Sequence, residues 1–370
     1  MRKLIIIVCF FNFIHSVNAQ HENEYPKIDQ AILAIPSSQT NNTTDIANYI
    51  KKHFDSDDKK IRAAFTWVTS NIKYDTDSIH RVILEEDRDQ KVTFALRRRK
   101  GVCENFAAIF NDICLKSGIT SFAIEGYTKQ NGAKDKISHV WCGAFINDKW
   151  FLYDPTWDEG FIYNSFNNNP ITKYFQVPPE DFVQTHLPYD PLFEFLNYPV
   201  TYKEFLKGNT AINTSKSYFN FIDSISVYEK MDSLSRYLSA LSRIEKNEIT
   251  IAKPITKTKQ IKLEIELIYQ DRDMAFYNEA VAGYNDAIII FNNYINYRNN
   301  QFQPAKKPEE VQEMFSKIRK LMSAANFKLN EVNHSKSTLT LDTGDLQKKL
   351  DDLNIHIKEQ ETFQKNYTLK

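Results

Sequence analysis

Between about residues 46 and 74, Ile50, Phe54, Ile61, Ala64, Phe65, Val68 and Ile72 recur at steps of three and four, the period of a helix with one buried face. The polar run Asp55-Ser56-Asp57-Asp58 interrupts the pattern, so the spacing predicts two helices. A further helical face, Cys103, Phe106, Ile109, Phe110, Ile113 and Cys114, follows the basic run Arg97-Arg98-Arg99-Lys100-Gly101. That run reads as a solvated turn, and Gly118 closes the helix as its C-terminal cap. The period then drops to two, predicting strands over 121–127, 138–146 and 149–154, the last two joined as a hairpin about Asn147-Asp148.

From 160 to 205 the chain is rich in Pro, Asn and aromatic residues, which predicts an irregular extension packed on the core. Helical periodicity returns over 225–246, 256–301, 308–333 and 346–363. Its broad apolar faces, such as Ile261, Ile265, Ile268 and Tyr269, read as the core of a helical bundle. Helices followed by antiparallel strands make an α+β class. The expected organisation is an N-terminal segment 20–45, a core 46–160, the extension 161–215 and an all-α C-terminal domain 216–370.

Composition narrows the class. The 370 residues carry 47 Lys+Arg against 47 Asp+Glu, with 42% hydrophobic and 25% charged side chains. This excludes a disordered or collagenous chain, and the balanced charge argues against a nucleic-acid partner or a polybasic membrane surface. The first 19 residues hold Arg2 and Lys3, an apolar run over 4–13, and Val17-Asn18-Ala19, the pattern of a secretory signal cleaved after Ala19. The expected location is therefore secreted or periplasmic, with no transmembrane anchor after cleavage. Cys103, Cys114 and Cys142 then remain, an odd number that leaves at least one thiol outside a disulfide. Cys103 and Cys114 share one helix and lie roughly 16 Å apart along it, too far to pair.

A cysteine at a helix start faces backbone amides and a partial positive charge that stabilise the thiolate. Such a nucleophile needs a base, and the base an orienting group. Pairing Ile146 with Lys149 across the hairpin and counting outward sets Trp141 opposite Asp154. His139 is then on the same sheet face, diagonal to Asp154 and within its reach, whereas Cys142 points to the other face as a core thiol.

Three stretches together resemble the transglutaminase-like superfamily: Lys100-Gly101-Val102-Cys103-Glu104-Asn105-Phe106-Ala107, Ser138-His139-Val140-Trp141, and Lys149-Trp150-Phe151-Leu152-Tyr153-Asp154-Pro155-Thr156-Trp157-Asp158. The preceding Trp67 to Asp75 resembles the helix end that enters that core. Tyr174-Phe175 and Thr185-His186-Leu187-Pro188 resemble the extension of the branch that includes kyphoscoliosis peptidase and its bacterial relatives. The resemblance covers about residues 45–205. It implies a papain-like arrangement with Cys103 as nucleophile, His139 as general base and then acid, and Asp154 orienting the imidazole. It further implies a cysteine peptidase or amidase if water accepts the acyl group, and a protein-glutamine acyltransferase if a lysine amine does. Two positions depart from the common pattern: Glu104-Asn105-Phe106 where a Gly and an aromatic are usual, and Cys142 where an Asn is usual. Tyr74, Glu104, Trp141 and His186 are candidates for the oxyanion donor or the cleft wall.

No cofactor is expected, since thiol acyl transfer needs none, and no metal-ligand spacing is readable. The expected partner is a protein or peptide substrate, including cell-envelope material. The alternative is a non-catalytic scaffold or binding module of the same fold that acts through its helical domain.

Overall fold

The computed structural model describes residues 24–78, 88–130, 133–135, 138–159, 172–247 and 255–368. The leader over 1–19 lies outside these residues, as does part of the extension, 160–171. The described residues form two units. The first runs to Met231 and takes in Ser239–Asn247; the second comprises Asp232–Leu238 and the residues from Ile255 onward.

The first unit opens with helices α1 (Tyr25–Leu33), α2 (Thr43–His53) and α3 (Asp57–Asn71). The break between α2 and α3 falls in the polar run, where Ser56 caps α3 by accepting from the Lys59 N–H. Helix α1 escaped the periodicity because its inward face includes the polar Asp29. That carboxylate is buried and accepts from Arg62 Nε at 2.8 Å, Arg62 Nη2 at 2.6 Å and the Thr66 hydroxyl. Strand β1 (Lys73–Tyr74) pairs in parallel with β2 (Lys100–Gly101), setting Tyr74 beside Gly101. Between them lies α4 (Arg88–Arg98). The basic run is thus not a solvated turn. Arg97 and Arg98 close α4, Lys100 is in β2, and the Arg99 guanidinium lies over the Trp67 ring at 5.0 Å.

Helix α5 (Cys103–Lys116) begins directly after β2. Asn105 fixes that start, its side-chain oxygen accepting from the Val102 N–H at 3.0 Å. Gly118 ends it with φ +88°, allowing the Ile119 N–H to reach back to the Cys114 carbonyl at 2.9 Å.

The sheet contains β3 (Ser121–Gln130), β4 (Ala133–Lys134), β5 (His139–Ile146) and β6 (Lys149–Tyr153), in the antiparallel order β4-β3-β5-β6. Asn147 and Asp148 both have positive φ, 49° and 60°, as a two-residue hairpin turn of matching twist requires. Pairing runs from Ile146 with Lys149 to Cys142 with Tyr153, the register counted from the sequence. Cys142, Ala144, Ile146 and Tyr153 pack against the helices. Trp141, Trp150 and Leu152 join Ile124 in a second cluster with Phe182, Leu192 and Phe195 of the extension.

That extension is more ordered than its composition suggested. It forms α6 (Pro179–Phe182), β7 (His186–Pro188), a 3-10 turn over Pro191–Glu194, and α7 (Tyr202–Lys207). Strand β7 pairs with β3, matching Gly126 with Pro188 and Thr128 with His186. A Cβ at Gly126 would sit 2.1 Å from the Leu187 carbonyl oxygen and 2.6 Å from Trp141, so glycine is what lets β7 seat there. Three residues are too few to show a period, which is why the strand was invisible in the sequence. The single helix expected over 225–246 is two, α8 (Phe221–Lys230) and α9 (Ser233–Asn247). Ile225 of α8, with Phe219, Phe221 and Tyr228, packs on the extension's cluster and so belongs to the first unit, not to a domain beginning at 216.

The second unit is helical: α10 (Ile255–Asn299), α11 (Pro308–Asn333) and α12 (Thr343–Thr368). Ala280, Ala287, Tyr294, Phe315, Ile318, Leu329, Leu350 and Ile357 form its core. No described helix is long and apolar enough to cross a membrane.

Candidate active site

The hairpin's open end, eight residues from its turn on the β5 side, carries the first two groups. His139 begins β5, and Asp154 follows the last residue of β6. The His139 Nε2 lies 2.7 Å from Asp154 Oδ2. With Nε2 committed to the carboxylate, Nδ1 is the ring nitrogen left for a third group. Cys103, at the first position of α5 and half-buried, supplies it: the sulfur is near enough to the ring to help raise His139. Neither Cys103, Cys114 nor Cys142 is in a disulfide. Cys114 is buried in the core, where burial holds its thiol protonated, and Cys142 packs beneath the sheet with its Sγ 3.3 Å from the Ala107 carbonyl.

The Asp154 carboxylate is fully buried and its lone pairs are used on both oxygens. Oδ1 accepts from the backbone N–H groups of Thr156 at 2.9 Å and Trp157 at 3.2 Å. Oδ2 faces His139 and also the Nε2 of His186 at 3.2 Å. Burial opposes ionisation, but His139 and then His186 outweigh it and hold the carboxyl well below the usual carboxylate range. For His139 burial again opposes the charge, yet Asp154 first and Cys103 second push it up to about 10, so the ring is an imidazolium at neutral pH. For His186 burial wins over Asp154 and lowers it to about 4, leaving that ring neutral. The two histidines on one carboxylate are thus pushed in opposite directions.

Of the four further candidates, two come to the site and two do not act as donors there. Tyr74 is brought near by the β1–β2 pairing. Burial first, then the charges of Cys103 and Asp154, raise its phenol, which stays protonated. His186 enters on β7. Trp141 is fully buried and packs edge-on against His186 at 5.1 Å, a wall rather than a donor. Glu104 is exposed and paired with Lys91.

Sequence reasoning passed over Asp158, Thr185 and the backbone amides at 156 and 157. Asp158 is buried, accepts from the N–H groups of Tyr174 at 2.8 Å and Lys173 at 3.2 Å, and is pushed up to about 6 chiefly by burial. The amides were legible: an aspartate whose carboxylate binds the N–H two residues on is a common turn signal. Metal-ligand spacing in the sequence showed nothing, but the fold gathers ligand atoms of His139, Asp154 and His186 within 4.8 Å of one another. Both ring nitrogens facing the carboxylate are engaged by hydrogen bonds to it.

The antiparallel sheet packed against the helix that begins at Cys103 has the transglutaminase-like fold. Residues 32–155 match the family model of the transglutaminase-like superfamily, which bears out the resemblance read from the motifs. Among curated proteins, kyphoscoliosis peptidase of Mus musculus is 28% identical over 167 residues, covering 40% of this chain and 24% of that protein. The Homo sapiens protein is 27% identical over the same extent. Hillarin of Drosophila melanogaster is 20% identical over 203 residues, 49% of this chain and 24% of that protein. The matched region spans about a quarter of the length of these relatives. A crystal structure of a TGase aligns over 46% of this chain and 37% of its own at 15% identity, with a TM-score of 0.24.

Proposed function

We propose that the first unit is a thiol-dependent hydrolase or acyl transferase acting on peptide or amide bonds through Cys103, His139 and Asp154. One observation carries the reading: a His139 ring bonded through Nε2 to a buried carboxylate and raised further by the nearby Cys103 at a helix start. In this reaction the Cys103 proton rests on His139, and the sulfur bonds to the substrate carbonyl carbon as the carbonyl π electrons move to the oxygen. The C–N bond then breaks, and His139 gives its proton to the departing amine, leaving a thioester. His139 next takes a proton from the acceptor, whose oxygen or nitrogen displaces the sulfur.

The Cys103 N–H, unpaired within the helix at its first position, and the Tyr74 hydroxyl are the donors for the developing oxyanion. Water is the preferred acceptor, giving peptidase or amidase activity; a lysine amine would give crosslinking. The leader over 1–19 supports export, with peptides or cell-envelope material as substrate.

The test is labelling of the purified protein with an iodoacetamide probe, locating the adduct by mass spectrometry in wild type, Cys103→Ala and His139→Ala. Fast labelling at Cys103 that drops without His139 supports the reading and warrants a screen of peptides, glutamine donors and cell-wall fragments. Slow labelling indifferent to His139 refutes it in favour of a non-catalytic module.

A further inference from the structure

We propose that His186 is a positioning residue of this site: it donates a hydrogen bond to Asp154 that fixes the carboxylate against His139. The inference rests on the reading of Cys103, His139 and Asp154 given above and adds a member that does not touch the substrate.

The hydrogen positions follow from the partners. His186 Nδ1 lies 2.8 Å from the Thr185 hydroxyl, whose other acceptor, the Phe182 carbonyl, is more distant at 3.4 Å. The hydroxyl hydrogen goes to the nearer partner, so Nδ1 accepts and Nε2 carries the ring proton. Nε2–H then points at Asp154 Oδ2. The ring cannot turn away. It stacks on Phe182 at 4.1 Å, meets Trp157 at 4.4 Å and Trp141 at 5.1 Å, and is fully buried. Burial keeps it neutral, so it donates a hydrogen bond without placing a second cation beside His139.

Rotation about the Asp154 Cβ–Cγ bond moves both oxygens together; backbone amides hold Oδ1, and His186 adds a second, opposed restraint at Oδ2, the oxygen His139 uses. It thereby narrows the torsion at which the carboxylate meets His139. The position of His186 depends in turn on β7 seating at Gly126, which gives the extension a part in the chemistry.

Packing and hydrogen bonding make opposite predictions for two substitutions. His186→Phe keeps an aromatic ring among Phe182, Trp157 and Trp141 but has no donor; His186→Gln loses the ring but can return an N–H to Asp154. The readout is the second-order rate of iodoacetamide labelling at Cys103, with the proton resonance of the His139 Nε2–H as a spectroscopic signature. His186→Phe is expected to slow labelling about tenfold or more, the worth of a hydrogen bond to a buried charge, and to move that resonance. His186→Gln is expected to stay within about threefold of wild type.

A Phe variant equal to or faster than the Gln variant, with wild type dependent on His139, overturns the positioning role alone. Wild type no faster than His139→Ala overturns the triad reading and this inference together. A second measurement needs no variant: nitrogen-15 shifts of His186 at pH 7 should report a neutral ring protonated at Nε2. Protonation at Nδ1 alone, or a cation, would also overturn it.

Discussion

Asp154→Asn perturbs the site by removing one charge at nearly constant volume. In wild type the carboxylate holds His139 at about 10 against the opposing effect of burial. An asparagine would turn its oxygen to the amides of Thr156 and Trp157, since the reverse would set donors against donors, and its NH2 to the histidines, which obliges His186 to shift its ring proton to Nδ1 and donate it to the Thr185 hydroxyl. His139 Nε2 must then accept, which an imidazolium cannot do. Its value should fall to the ordinary 6.5 or below, because burial is left without the main opposing charge. The change exceeds a thousandfold in acidity, about 5 kcal/mol at roughly 1.36 kcal/mol per decade.

The consequence for stability has a definite sign. A raised histidine stabilises the folded state fully below pH 6.5, and the contribution is lost as pH climbs toward 10. Wild type should therefore weaken in urea unfolding between pH 6.5 and 10, and Asp154→Asn should lack that decline. Carbon-13 NMR titration, with His139→Gln to assign the signal, follows the ring directly. A wild-type His139 titrating near 6.5, or one unmoved by Asp154→Asn, would refute the account of the pair.

Gly126→Ala should push β7 off β3, costing about 1–3 kcal/mol by overpacking, and should slow Cys103 labelling, since Gly126 seats the strand that carries His186 and is also the cross-strand partner of His139; urea unfolding beside the labelling rate checks both. Asp29→Ala leaves the buried Arg62 guanidinium without its carboxylate, and should destabilise the first unit by about 3–5 kcal/mol, read from the urea midpoint.

The hairpin was legible because its information is local. Asn147-Asp148 fixes the turn, the turn fixes the register, and the register sets His139 diagonal to Asp154 on one face. Cys103 was legible as a helix start because the apolar spacing behind it runs unbroken to Gly118. What the sequence hid is what tertiary pairing creates. Arg99 looks solvated until Trp67 comes under it. His186 lies more than thirty residues beyond Asp154, on a strand too short to have a period, and only its pairing with Thr128 reveals where it goes. Helix α1 was missed because Asp29 looks exposed until Arg62 and Thr66 meet it.

The reacting groups are also divided unequally along the chain. His139 and Asp154 ride on one hairpin closed by two residues, so their separation is settled within a short loop, at small entropic cost. Cys103 reaches them only through the docking of α5 on the sheet. A partial opening that loosened this helix would leave the imidazole and carboxylate together and withdraw only the sulfur. Labelling that depends on His139 should accordingly vanish before the hairpin's amides lose their protection from hydrogen exchange, so that in this fold reactivity is surrendered ahead of structure.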